Sequence, residues 1–252
     1  MAAPGMLYAG AYILLRLDAV YHALGLSGSM QLRLLPRRLW VNRRQMSQPY
    51  IVRVADIRWG GRPSGGEQRV GDAGLGNGLV FDGAWDVEDK QSVEIYLSSY
   101  IYSKTVFQMF RDRIPYQETA QYAEISKAVA DGLHHDWKAR GCRNQEDIHR
   151  YFEELVGIYQ SIGSNGYSSQ RELGSRCWLD EVRVFVDRNG ELHKQQGEGH
   201  HRLAMARILG VEKIPVVVIG VHAHWALDAQ REFGLNLIAS IDRRIQRDIV
   251  CK

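Results

Sequence analysis

The sequence predicts an α+β domain, a small mixed sheet with flanking helices, preceded by a helical and glycine-rich N-terminal region. Three observations predict it. Apolar residues recur at helical spacing over residues 145–162, period-two alternation replaces that spacing over residues 181–186, and an apolar β-branched run, IPVVVIGV, fills residues 214–221. The chain has 252 residues, of which 45% are hydrophobic and 24% charged. That is enough for one large domain or two small ones, and it excludes a disordered, collagenous or coiled-coil chain. A formal net charge of +3 is too small to imply nucleic-acid binding. Cys142, Cys177 and Cys251 are far apart and form no CxxC pair, so neither a disulfide framework nor a thiolate zinc site is indicated. A reducing, cytoplasmic setting is the plain expectation.

Residues 1–49 are set apart by charge. Arg16, Arg33, Arg37, Arg38, Arg43 and Arg44 face a single acid, Asp18. The apolar-rich stretch at 6–24 is broken by Arg16 and Asp18, so it is too short in uncharged length for a spanning helix. Its uncharged start does not fit a secretory signal. It reads either as a packed helix followed by a surface arginine cluster, or as an interfacial segment making peripheral membrane contact through residues 6–44.

Residues 50–83 begin with a strand at 50–59, carried by Ile51, Val52, Val54 and Ile57. A glycine-dense linker, 60–83, follows. It contains Gly71, Gly74 and Gly76 but lacks the Lys-Ser/Thr of a P-loop. Residues 84–143 are a helical region, with helix-compatible stretches at 89–111 and 117–131. The core, 144–225, opens on the clearest helix, 145–162, with Asn144 as N-cap and Glu146 and Asp147 in its first turn. Val182, Val184 and Val186 then alternate along a strand, the sequence Asp187-Arg188-Asn189-Gly190 makes a hairpin turn, and 191–196 is the return strand. A helix at 202–209 stops at Gly210, and the 214–221 run is a central strand. Residues 226–252 finish as one basic amphipathic helix, 226–249.

The order hairpin, Gly197-Glu198-Gly199-His200-His201-Arg202, helix, strand carries chemistry. Gly197 and Gly199 permit positive φ and close backbone approach to a ligand. The helix starting near His201 offers free N–H groups and a positive dipole end, a ready anion site. Arg202 adds a planar fork for phosphate oxygens, and His200 and His201 add donors whose charge varies near neutral pH. Glu198 at the rim has the chemistry to hold magnesium between phosphates. A purely structural glycine turn accounts for the glycines but not for His-His-Arg. Elsewhere, His222 and His224 read as rim or surface histidines, and His134 and His135 face apart on a helix end. Trp85 reads as an anchor between linker and core, with Asp86 as either a structural acid or a pocket base.

Residues 197–218, GEGHHRLAMARILGVEKIPVVV, resemble the phosphate-binding segment of the ParB/sulfiredoxin superfamily: a Gly-x-x-Arg or Gly-x-His-Arg turn, a helix, then an Ile-Pro-Val strand. The likeness covers roughly residues 144–221, about a third of the chain. The turn Glu198-Gly199-His200-His201-Arg202 is especially similar to that of ParB-like free-serine kinases. Residues 82–225 also resemble a little-characterised ParB-like group through Gly83, Trp85 and Asp86, through Glu118-Thr119, and through Asn165-Gly166-Tyr167. The resemblance implies a ParB-like nucleotide-binding core that takes ATP, ADP or CTP with Mg²⁺. By it, Gly197, Gly199, His200, His201 and Arg202 bind phosphate, and Glu198 is the metal or polarising residue. Glu153 or Glu154, on the 145–162 helix, or Asp86, is the base for a small hydroxyl-bearing acceptor. The turn has no cysteine, which disfavours sulfiredoxin chemistry. No helix-turn-helix follows the strand, which disfavours a chromosome-partition protein. The expected function is a phosphotransferase or nucleotide hydrolase. The alternative is a non-catalytic, nucleotide-dependent switch whose basic N-terminus contacts a membrane or partner.

Overall fold

The computed structural model describes residues 49–61, 80–81, 84–88, 90–174, 181–194, 199–235 and 237–250. The expected N-terminal helix and arginine cluster, the membrane contact assigned to 6–44, most of the glycine-dense linker, Gly83, Gly197 and Glu198 lie outside the described residues. Among those described, no helix is long and apolar enough to cross a membrane.

The architecture is a mixed sheet with flanking helices, in line with the α+β expectation. Its strands are β1 (Tyr50–Arg53), β2 (Ile57–Gly60), β3 (Val80–Phe81), β4 (Gln91–Ser92), β5 (Val182–Val186), β6 (Leu192–Lys194) and β7 (Lys213–His222). Their order is β1-β7-β5-β6-β2-β4, with β3 on β7 beyond the end of β1. β5 and β6 form the expected antiparallel hairpin, Val184 opposite Lys194 and Val186 opposite Leu192. β5 runs parallel to β7, with Val182 beside Val216 and Val186 beside Val221. β2 runs parallel to β6, and β1 pairs antiparallel with the first part of β7.

The stretch 50–59, expected as one strand, is two. A 3-10 turn at Val54–Asp56, closed by an Arg53–Asp56 ion pair, separates β1 from β2. These two strands occupy sheet positions four spacings apart, about 19 Å in a flat sheet. Four Cα steps from Arg53 to Ile57 span at most about 14 Å. The sheet is therefore strongly curled. The turn is pinned to the start of β7, where Val54 N donates to the Glu212 carbonyl at 2.9 Å.

The helices are α1 (Trp85–Glu88), α2 (Val93–Ser99), α3 (Ile101–Val106) running into a π turn (Phe107–Arg111), α4 (Ala120–Ala130), α5 (Gln145–Asn165), α6 (His200–Ile208), α7 (Ala223–Phe233) and α8 (Leu237–Asp248). α5 is the helix read from periodicity. Asn144 Oδ1 accepts from Asp147 N at 2.8 Å, and Ile148, Phe152, Leu155 and Ile162 are buried. The single helix expected at 226–249 is broken, because Gly234 adopts a left-handed φ of 65° and caps α7 through Gln230. α6 starts at His200, two residues before the expected start.

β5 is buried on both faces, with Val182, Val184, Phe185 and Val186 fully buried. It is central, so the alternation in its sequence does not become alternating exposure. The rings of Phe81, Trp85 and Phe185 cluster over Gly220 of β7, and an added Cβ there would stand 2.3 Å from Phe81 and 2.7 Å from Phe185. Gly220→Ala is expected to cost about 2 kcal/mol in urea denaturation, the range of core overpacking. Unchanged stability would show that these rings are not close-packed on β7.

Candidate anion-binding site

The described start of α6 is Gly199, with φ 85° and ψ 11°. A side chain here would be strained in backbone and would meet the Val182 Cα at 2.6 Å. Glycine therefore lets the amino end of α6 press onto the first residue of β5. Gly199, the N-cap of α6, has no side chain with which to cap it. Leu203 N donates to the Gly199 carbonyl at 3.0 Å, which closes the first turn of α6.

The three side chains of the turn diverge. His200 is buried, stacked on Tyr100 with centroids 4.0 Å apart, and its Nε2 lies 3.3 Å from Tyr96 Oη. His201 is half-buried, and its Nε2 lies 3.4 Å from Gln121 Oε1. The Gln121 amide donates from Nε2 to Tyr151 Oη at 2.6 Å, so its Oε1 faces His201 and accepts from the imidazole Nε2–H. Nδ1 then keeps its lone pair. Burial, and secondarily the charge of Arg140, push the His201 pKa down to about 3. The imidazole is thus neutral at ordinary pH and acts as an acceptor at Nδ1, which corrects the expectation of a titrating phosphate donor. Arg202 lies over the Tyr167 ring at 4.5 Å, donates from Nη2 to the Ser168 carbonyl at 2.8 Å, and pairs through Nη1 with Glu181 at 3.2 Å. That pair lacks hydrogen-bond alignment, leaving Arg202 Nη1 and Glu181 Oε2 as buried atoms without a hydrogen bond. Burial pushes the Glu181 carboxyl up, against Arg202 and the Gln170 amide. The guanidinium is therefore a partly committed fork and not an open one.

Beside His201 lies a cavity of about 520 Å³, lined by His134, His135, Arg140, Gly141, Cys142, Arg143, Asp147, Arg150, Tyr151 and Glu154. Tyr151 also meets His201, with ring centroids 6.4 Å apart, so one residue serves both the cavity and the first turn of α6. Arg140 crosses the face of Tyr102, whose edge meets His201 and whose buried hydroxyl has no partner. Arg143 and Arg150 share the one carboxylate of Asp147. Three arginines against two acids leave the lining cationic. Cys142 is a buried free thiol, its pKa raised by burial, so it is not a thiolate nucleophile.

The structure sorts the candidate acids. Glu154 stands on the cavity wall, while Glu153, on the exposed face, pairs with His149 at 3.0 Å. Asp86 is brought to neither. Arg188 binds both its oxygens, through Nη2 at 2.6 Å and Nε at 2.8 Å, and His222 Nε2 is 3.8 Å away. Burial raises the Asp86 pKa, but these partners outweigh it and hold it at about 2. Arg188 follows the end of β5, whereas Gly199 packs on its start, so Asp86 and the turn sit at opposite ends of a strand about 13 Å long. As a base for a ligand at α6 it is too distant, and its ion pair is structural. Next to it, Asp187 locks the hairpin by accepting from Asn189 N and Glu191 N, each at 2.8 Å, and His193 faces it at 3.1 Å. His222 also caps α7 by accepting from His224 N at 3.1 Å, which places it in the core and not at a rim. Among the described residues, no group of three or more His, Cys, Asp or Glu side chains is arranged to hold a metal ion.

Sequence reasoning passed over Arg140, Arg143, Arg150, Tyr151 and Tyr102. The available signal was three arginines within eleven residues around the Asn144 cap. Comparison with protein-family models, with curated proteins and with solved structures finds no match.

Because the His201 pKa is lowered in the folded state, an unfolded chain takes up the proton first. The contribution of His201 to stability is complete above the unfolded pKa near 6.5 and is lost as pH falls toward about 3. It should amount to about 2 kcal/mol lost between pH 7 and pH 5, less whatever its partial exposure screens. His201→Gln should flatten that limb of a stability–pH curve measured in urea, and an unchanged slope would refute a neutral His201. Arg188→Ala should cost about 3 kcal/mol, since it strands the Asp86 carboxylate in the core. A cost under 1 kcal/mol would show that Asp86 is solvated.

Proposed function

We propose that the chain binds the phosphates of a nucleotide where the amino end of α6 meets the cationic cavity, and that it acts as a ParB-like phosphotransferase or nucleotide hydrolase. One observation carries this reading. Tyr151 joins the first turn of α6, through the ring of His201, to a cavity lined by Arg140, Arg143 and Arg150. A helix N-terminus and clustered guanidinium groups are both suited to phosphate oxygens. A volume of about 520 Å³ lies within the range of small-molecule sites. The sequence likeness of 144–221 to nucleotide-binding ParB-like domains points the same way.

In this reading the backbone amides and arginines neutralise charge that builds on the transferred phosphoryl group, which is most of what such catalysis requires. Arg202 holds the turn through the Ser168 carbonyl and Glu181. Glu154, on the wall, takes the proton of an acceptor hydroxyl or water as that oxygen attacks the terminal phosphorus. The bond to the bridging oxygen breaks, and the diphosphate leaves. Magnesium belongs to this reading as the nucleotide's own counter-ion. Glu198, its expected ligand, lies outside the described residues.

The test is calorimetry with each nucleoside triphosphate and Mg²⁺, followed by diphosphate release with and without serine or sugars. Arg140→Ala and Arg150→Ala should each weaken binding about tenfold. Glu154→Gln should keep binding and lower turnover about 100-fold. Absence of binding at millimolar nucleotide would overturn the reading. Tight binding without turnover would favour the switch over the enzyme.

A further inference from the structure

The connection between α4 and α5 builds one wall of the cavity and also displays apolar surface. Ala139 and Cys142 are buried and anchor it to the core. Between them, Arg140 and Gly141 are both left-handed, with φ of 53° and 81°. This double reversal carries Arg140, Gly141 and Arg143 into the lining. The 3-10 turn just before it, Trp137–Ala139, is capped by Asp136, which accepts from Lys138 N at 2.8 Å. That turn sends Ala139 inward and leaves Trp137 60% exposed. Leu133, on the same connection, is 49% exposed. Trp85 and Trp225, by contrast, are 2% exposed. Lys138 Nζ lies 5.7 Å from the centroid of the Trp137 ring.

Trp137 presents its indole to solvent on the same connection that supplies Arg140 and Arg143 to the cavity. Trp137 is two residues from His135 and three from Arg140, both of which line the cavity, and two residues span at most about 7 Å of backbone. The Cα of Trp137 thus stands within about 7 Å of that of His135 and about 11 Å of that of Arg140, a separation that a nucleotide with its phosphates among Arg140, Arg143 and Arg150 is long enough to bridge. Bases stack on aromatic side chains whatever their identity, and adjacent cations add to the attraction.

We propose that Trp137 is the stacking platform for the nucleobase of the nucleotide, with Leu133 as apolar flank. This rests on the phosphate reading above. It assigns the base to the exposed loop and the phosphates to the arginines, so the site should tolerate different bases and require an aromatic one.

The experiment compares ATP, CTP and inorganic tripolyphosphate, each with Mg²⁺, on the full chain by calorimetry and tryptophan fluorescence. The expected result is that both nucleotides bind about tenfold or more tightly than tripolyphosphate and quench fluorescence. Trp137→Ala should abolish that advantage and the quench while leaving tripolyphosphate affinity unchanged. Trp137→Phe should keep most of the advantage. Equal affinity of nucleotides and tripolyphosphate for the unmodified chain would overturn the platform and leave the phosphate site standing. So would a Trp137→Ala variant that keeps the advantage. If neither tripolyphosphate nor any nucleotide binds, the phosphate reading falls and the platform falls with it.

Discussion

The parallel pairing of β5 with β7 is the constraint on which the rest of the molecule depends. It aligns Val182–Val186 with the middle of the longest strand and buries both faces of the shorter one. The two ends of β5 then have different fates. Its start receives Gly199 and the amino end of α6. Its end runs into the Asp187 turn, where Arg188 reaches back to Asp86. A slip of one residue would exchange the faces of Val184 and Phe185 and dismantle both arrangements.

Charge is handled differently at those two ends. Around Asp86 and Asp187, each carboxylate is buried and met by a guanidinium, an imidazole or backbone amides, so burial is compensated locally. Around α6 the compensation is incomplete. Among the described residues the Tyr102 hydroxyl and Arg202 Nη1 make no hydrogen bond, and Arg143 and Arg150 share the single carboxylate of Asp147. Under the proposed reading, polar groups left without hydrogen bonds beside a cavity serve an external ligand. This difference is why the anion reading is placed at α6 and the Asp86 cluster is read as structure.

Much of the fold was legible because local rules and burial agree. α5 shows its stripe and cap in sequence, the hairpin shows alternation and turn residues, and β7 shows a β-branched run. The curled sheet was not legible, because nothing local says that β1 and β2, three residues apart, take distant positions. The break at Gly234 was hidden inside an otherwise continuous amphipathic pattern. At the site, the sequence showed the glycine turn and its basic residues. It could not show that consecutive residues of a helix start point in divergent directions, with His200 toward Tyr100, His201 toward Gln121 and Arg202 toward Glu181. Nor could it place Arg140 and Arg150 beside them, since those contacts join segments some fifty residues away.

By itself, then, the amino-acid order determined element type, caps and turns, and the presence of a glycine-led helix start with basic neighbours, because each follows from near-neighbour sterics and hydrogen bonding. Tertiary structure alone decided which of those charges are committed and which face a cavity, and it alone left His201 neutral. Desolvation and ion pairing depend on residues remote in the chain, and only folding brings these into contact.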